Sequence, residues 1–337
     1  MRFRRRLGVV ALILLLGSSV AACGLDAPDA GVVEAGPEAR LRDLNALDMR
    51  VAGVAWQLAR ANADLCPVTR PSLGWTLHSA SQYGAELRPL ARQRHGLDGD
   101  LPGILAAPAD SPAALAGLQP GDLIVSVNGL ALERGEESAA AYEGLQANSA
   151  VLDRAATLGP LQLQVRREGV ERSVRLRPIQ ACAYATQVEV TGKLRAHADG
   201  RTIFISDGMA NLAGTDAELA FVLAHELGHA VLEHRTDDSV TGVRGASNWA
   251  ISMRRGLSLG SEADADRMGL FLMARAGFDP DAALTFLTAY EQVDAGADYA
   301  QINTGGVYRS SPDRRRALQP VLADIASRRA AGRVLIP

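Results

Sequence analysis

The run His225-Glu226-Leu227-Gly228-His229 constrains this chain more than any other feature. Thr215 and Glu218 stand ahead of it in capping-box spacing, and Leu219, Val222 and Leu223 carry an apolar face into it. The segment is therefore predicted to be a helix starting at about residue 216. Residues four apart on a helix lie on one side, one turn apart. His225 and His229 can then offer two imidazole nitrogens to one metal ion, with Glu226 beside the first as a carboxylate base for a metal-held water. Gly228 inside such a helix costs up to about 1 kcal/mol and marks a place where another backbone comes close. His78, His95 and His197 lie in no such pattern and read as ordinary core or surface residues.

A catalytic zinc site wants three protein ligands and an open position. His234 lies five residues beyond His229, which turns it off the metal face, so it is expected to support the site by hydrogen bonding. Glu262 and Asp266 are four apart in Ser261-Glu262-Ala263-Asp264-Ala265-Asp266, hence on one face of a second helix. One of them can ligate while the other orients a ligating imidazole through its second nitrogen. An acidic first turn complementing the helix dipole is the structural alternative.

These residues carry a resemblance. Residues 200–234 and 262–280, with Leu223 to His229, Glu262 to Asp266 and Ala276-Gly277-Phe278-Asp279-Pro280, are similar to the zinc metallopeptidase family that includes the HtpX-type and CAAX-prenyl proteases, peptidase family M48. The resemblance implies a gluzincin site with one zinc on His225, His229 and Glu262, Glu226 as general base, and Asp266 and His234 in support. It also implies protein or peptide substrates, and an extended substrate is expected along the strand near Arg201 to Ser206. The family usually carries a His-Pro pair followed by arginine near the C-terminus; this chain has Ser310-Ser311-Pro312 and then Arg314, Arg315 and Arg316. An arginine here, Arg316 for instance, or Tyr308 is the candidate support.

A second texture interrupts this one. Ser111 to Leu118, then Gln119-Pro120-Gly121-Asp122 and the apolar Leu123 to Val127 before Asn128-Gly129, read as short helix, turn, strand and hairpin turn. Strands at Leu161 to Arg167 and Val170 to Arg177 should close the unit across Glu168-Gly169. The run resembles bacterial PDZ domains, which capture protein C-termini on backbone amides after a Gly-rich loop and add the peptide as a strand. Tyr83, Gly84, Ala85 and Glu86 are the candidate loop. The adaptor alternative, a non-catalytic lipoprotein working through this unit alone, stays open.

The N-terminus reads as an address. Arg2, Arg4, Arg5 and Arg6 precede the apolar Leu7 to Leu16, which is too short to span a bilayer as a helix. Val20-Ala21-Ala22-Cys23-Gly24 resembles a bacterial lipobox, so Cys23 is the expected lipidated residue. Acylation implies a membrane anchor. Gly24 in place of aspartate implies the periplasmic face of the outer membrane. The formal net charge of −3, more acidic still once four arginines leave with residues 1–22, gives no footprint for nucleic acid.

Three cysteines then resolve into one for lipid and two, Cys66 and Cys182, expected to pair in an oxidising compartment on either side of the insert. The expected organisation is α+β. Residues 1–22 are a signal and 23–40 a tether. Residues 41–81 and 180–337 make a mainly helical zincin peptidase domain with a small sheet. Residues 82–179 form a PDZ-like, β-rich domain interrupting it. The Gly- and Ser-rich stretch 237–260, with Trp249, is a candidate lid or a plain surface loop.

Overall fold

The computed structural model describes residues 36–135, 141–199, 201–232, 259–294 and 312–337. All of them belong to the unit Gly36–Pro337. The expectations for residues 1–22, Cys23, His234 and Tyr308, and for nearly all of the 237–260 stretch, lie outside the described residues.

Helix α1, Pro37–Ala61, opens on a proline, whose missing N–H is no loss in a first turn. It serves two cores. Leu41 packs into one hydrophobic cluster, while Leu47, Val51, Val54 and Leu58 pack into the other. Its apolar spacing is therefore the seam between the two halves of the molecule.

After α1 the chain enters the insert through β1, Thr69–Ser72, and leaves through β8, Ile179–Cys182. These two strands pair antiparallel, Thr69 opposite Cys182 and Ser72 opposite Ile179. A disulfide between Cys66 and Cys182, with a Cα–Cα separation of 5.5 Å, closes the same neck. Between them lie β2 (Thr76–His78), α2 (Arg88–His95), β3 (Gly103–Ala106), α3 (Pro112–Leu115), β4 (Leu123–Val127), β5 (Leu130–Ala131), α4 (Glu143–Leu158), β6 (Leu161–Arg167) and β7 (Val170–Leu176). The sheet order is β2-β3-β4-β6-β7, with β5 on β4. This sheet begins at Thr76, ahead of the boundary expected at residue 82.

Two hairpins set its register. Asn128 and Gly129 have φ of 50° and 82°, and Glu168 and Gly169 have 51° and 79°. Positive φ at both central residues matches the twist of the flanking strands. Val127 thus faces Leu130, and Arg167 faces Val170. Leu161, Leu163 and Val165 then point into the core with Ile104, Leu123 and Leu152. The buried Asp122 is held by Arg167 through Nε (2.5 Å) and Nη2 (2.7 Å), which compensates its lost hydration.

The other half holds β9 (Ala185–Glu189), β10 (Ala196–Ala198), β11 (Thr202–Ser206), α5 (Asp207–Leu212), α6 (Asp216–Val231), α7 (Leu259–Arg275), α8 (Ala282–Asp294) and α9 (Pro312–Ala330). The expected helices thus appear with ends shifted by a few residues. Phe221, Phe271 and Phe286 with Leu219, Leu223 and Leu272 fill its core. Each such side chain contributes about 1.5–3 kcal/mol by leaving water.

The three-stranded sheet has the order β10-β11-β9, so β11 is its middle strand. This corrects the expectation that substrate lies along Arg201 to Ser206. β10 and β9 already occupy both edges of that strand, and β10, which packs against α6, is an open edge among the described residues.

Candidate metal centre

Thr215 caps α6, its hydroxyl accepting from the Glu218 N–H at 3.2 Å. The Glu218 carboxylate reaches back to the N–H of Gly214 at 2.8 Å. Helix α7 lies against α6 at two glycines. A Cβ on Gly228 would sit 2.7 Å from the carbonyl oxygen of Ala265, and one on Gly269 would meet the backbone of His225 at 3.1 Å. The mid-helix glycine of the histidine motif therefore permits a close helix crossing. That crossing carries Glu262 to the two histidines.

The three side chains converge. His225 Nε2 lies 3.2 Å from His229 Nε2 and 3.3 Å from Glu262 Oε2, and His229 Nε2 lies 3.5 Å from Glu262 Oε1. One ligand atom from each falls within 4.8 Å of the others. Donors held about 2.0–2.1 Å from one tetrahedral ion are separated by roughly 3.3 Å. The spacing and the N, N, O donor set therefore fit a single divalent ion of the zinc type.

Asp266 does not join this triangle. It is fully buried and meets His225 from behind, Oδ1 to Nδ1 at 2.8 Å. With the proton on Nδ1, the lone pair of His225 Nε2 faces the other two donors. Arg314 on α9 grips Asp266 with two bonds, Nε to Oδ2 at 2.8 Å and Nη2 to Oδ1 at 2.7 Å. Its guanidinium also lies over the Phe221 ring, 5.8 Å from the centroid.

The electrostatics follow from this packing. Burial works against ionising Asp266, but Arg314 and His225 hold it far below the usual carboxylate range. Burial also disfavours charge on His225, and the hydrogen bonds to Asp266 and Glu262 more than reverse this, pushing it up to about 10. The cluster thus favours a cation at its focus, and a divalent ion bound there would take the place of the His225 proton. Glu262 is held low despite burial, through its hydrogen bond to His225 and the nearby positive charges. Glu226 is pushed up to about 7, chiefly by burial, with Glu262 adding to the rise and His225 and Arg314 opposing it. Among the described residues Glu226 forms no hydrogen bond or ion pair, so its carboxylate is uncommitted.

Of the three arginines expected to offer support here, Arg314 and not Arg316 is the one that reaches Asp266. Arg316 pairs with Asp313 on the surface instead, and Arg315 pairs with Glu291. The helical phase of α9 selects the first of three adjacent arginines.

The residues of the candidate peptide loop are engaged within the chain, and Tyr83 and Gly84 line the cavity beside β2. Tyr83 bonds His78 through its hydroxyl at 2.8 Å, Gly84 caps the turn into α2, and Glu86 pairs with Arg40 at 2.5 Å. The edge strand β2 is instead preceded by Leu73-Gly74-Trp75, where Gly74 has φ of 65° and no room for a side chain beside Ser111 and Trp56.

Comparison with known proteins agrees with both textures. Residues 103–142 match the PDZ domain family, and residues 168–252 match peptidase family M48. A stretch of 129 residues is 32% identical to the mitochondrial metalloendopeptidase OMA1 of Arabidopsis thaliana, covering 32% of this chain and 26% of that protein. The chain thus spans about a quarter of the length of that relative. The crystal structure of the HtrA3 PDZ domain bound to a phage-derived ligand is similar at 21% identity and a TM-score of 0.24, over 34% of this chain and 88% of that one. The chain therefore carries, in one polypeptide, a stretch that matches the PDZ domain family and a stretch, with the histidine motif, that matches peptidase family M48.

Proposed function

We propose that this protein is a zinc-dependent endopeptidase of the bacterial cell envelope, anchored by lipid at Cys23 on the periplasmic face of the outer membrane and cleaving envelope proteins in quality control. The observation that carries the reading is the triangle of His225, His229 and Glu262 at tetrahedral spacing with Glu226 free beside it. Those three residues would hold zinc, which when bound acidifies water and polarises the scissile carbonyl.

The chain's own groups do the rest. Glu226 accepts a proton from the attacking water and delivers it to the leaving amine. Asp266 fixes the tautomer of His225, and Arg314 keeps Asp266 ionised. An extended substrate pairs with β10, the edge strand packed on α6. The PDZ domain supplies a second peptide-binding surface on the same chain.

Metal analysis with casein cleavage tests the reading. One zinc per chain is expected, with cleavage lost on chelation and restored by zinc. Undiminished cleavage by metal-free protein overturns it. Arg314→Ala tests the support around the metal. It frees Asp266 to move and is expected to weaken zinc affinity by about 10–100-fold, read by competition with a chromophoric chelator. Unchanged affinity would remove Arg314 from the site.

A further inference from the structure

Between the two halves lies a cavity of about 690 Å³. Asp48 of α1, the Leu73–Trp75 loop and β2, Tyr142 and α4, and the whole of β9 line it. β2 and β9 are each the terminal strand of their sheet. Edge strands carry backbone donors and acceptors that an added extended chain can pair.

Two features of this cavity go beyond a generic groove. The chain is poor in aromatics, with three Trp, six Tyr and six Phe, yet Trp56, Trp75, Tyr83, Tyr142 and Tyr184 all line it. A third of the aromatic residues thus meet at one cleft, and Tyr142 is 47% exposed there.

The second feature is charge. Of the carboxylates in the lining, Asp153 faces Arg70 at 3.8 Å and Glu189 faces Arg195 at 3.8 Å. Asp48 has no hydrogen bond or ion pair among the described residues. Burial pushes its carboxyl up to about 7. The phenols of Tyr83 and Tyr142, which line the same cleft, are raised too, by burial first and then by the charge of Asp48. A partly buried carboxylate without a partner, in a cleft lined by aromatic rings, costs free energy that an ammonium or guanidinium group would recover, by ion pairing and by lying on a ring face.

We propose that this cleft binds an extended, basic segment of a partner protein, with a lysine or arginine side chain at Asp48 beside the aromatic lining of the cleft. Asp48 sits on α1, which also packs into the peptidase core, so the preference for a cation comes from outside the PDZ sheet. The site is composite. The inference rests on the reading that the chain handles peptides, but not on catalysis.

The test uses the full chain as Glu226→Gln, so that binding is read without cleavage. The probes are fluorescent strand-forming Val/Thr peptides, identical apart from a central Arg, Leu or Glu, followed by anisotropy. The Arg peptide is expected to bind about tenfold more tightly than the Leu peptide, as a charge-assisted contact allows. The Glu peptide is expected to bind most weakly. Asp48→Asn should erase the difference, Asp48→Glu should keep it, and Tyr142→Leu should reduce it a few-fold. A melting curve for each variant reports whether it is folded. Equal affinities for the three peptides overturn the proposal, whatever the variants do, and so does a preference for Leu, which would mark an apolar occupant. Discrimination that survives Asp48→Asn also overturns it. Loss of casein cleavage by the parent chain alongside intact Arg selectivity would refute the peptidase reading and leave the cleft standing.

Discussion

Glu226→Gln is expected to hold zinc as the parent does and to cleave casein about 10²–10⁴-fold more slowly. Gln keeps the size and the helical position of Glu but cannot take a proton from water. The proposed zinc donors sit on His225, His229 and Glu262, so the metal should stay. The change also removes a carboxyl that burial already pushes up to about 7, so no stabilising charge pair is lost with it. The measurement is cleavage rate beside metal content, with a melting curve as the control for folding. Near-parent cleavage with zinc present would sink the assignment of Glu226 as base. The same variant separates the peptidase from an adaptor. If cells carrying Glu226→Gln in place of the parent chain show no loss, the PDZ domain does the work and the metal centre does not.

How much of this was legible in the sequence depended on the range of the signal. The α6 helix and its cap were readable because Thr215, Glu218 and the His225–His229 spacing act within a few residues. The Asn128-Gly129 and Glu168-Gly169 turns were readable for the same reason, since positive φ is a local demand. Glu262 was legible only beside the histidines, because an acidic first turn is common on its own. Three features needed the folded chain. Arg314 lies 48 residues beyond Asp266, and nothing local separates it from Arg315 and Arg316. The apolar Thr202–Ser206 was recognisable as a strand, but its central place was not. Its neighbours β9 and β10 are short and only partly buried, so they carry little alternation. Which loop precedes the edge strand was not legible, because the glycine-bearing loops at Gly74 and Gly84 compete on local signal. Only the pairing of β2 with β3 shows that Gly74 precedes the free edge.

Breaking the Cys66–Cys182 disulfide should have the largest effect on stability. Its closed loop spans 116 residues, for which chain entropy alone gives a contribution approaching about 5 kcal/mol. The insert has a core of its own, so when the core around α6 unfolds first the flexible part of the loop is shorter. The expected loss for Cys66→Ser with Cys182→Ser is then about 2–4 kcal/mol. For a domain of this size that lowers the melting midpoint of that core's transition by roughly 5–15 °C. Reductant should do the same to the parent and nothing to the double variant. A parent midpoint that ignores reductant, or two free thiols in the oxidised protein, would refute the bond. The consequence reaches function through position. The disulfide sits at the neck where β1 pairs with β8, and β9 begins three residues after Cys182. Cys182 and β9 both line the cleft that also holds β2. Opening the bond frees one wall of that cleft relative to the other, so the reduced protein should lose affinity for the Arg peptide before it loses its fold. A reduced protein that is folded and binds that peptide as tightly as the oxidised one would show that the neck's backbone pairing alone holds the two walls in place.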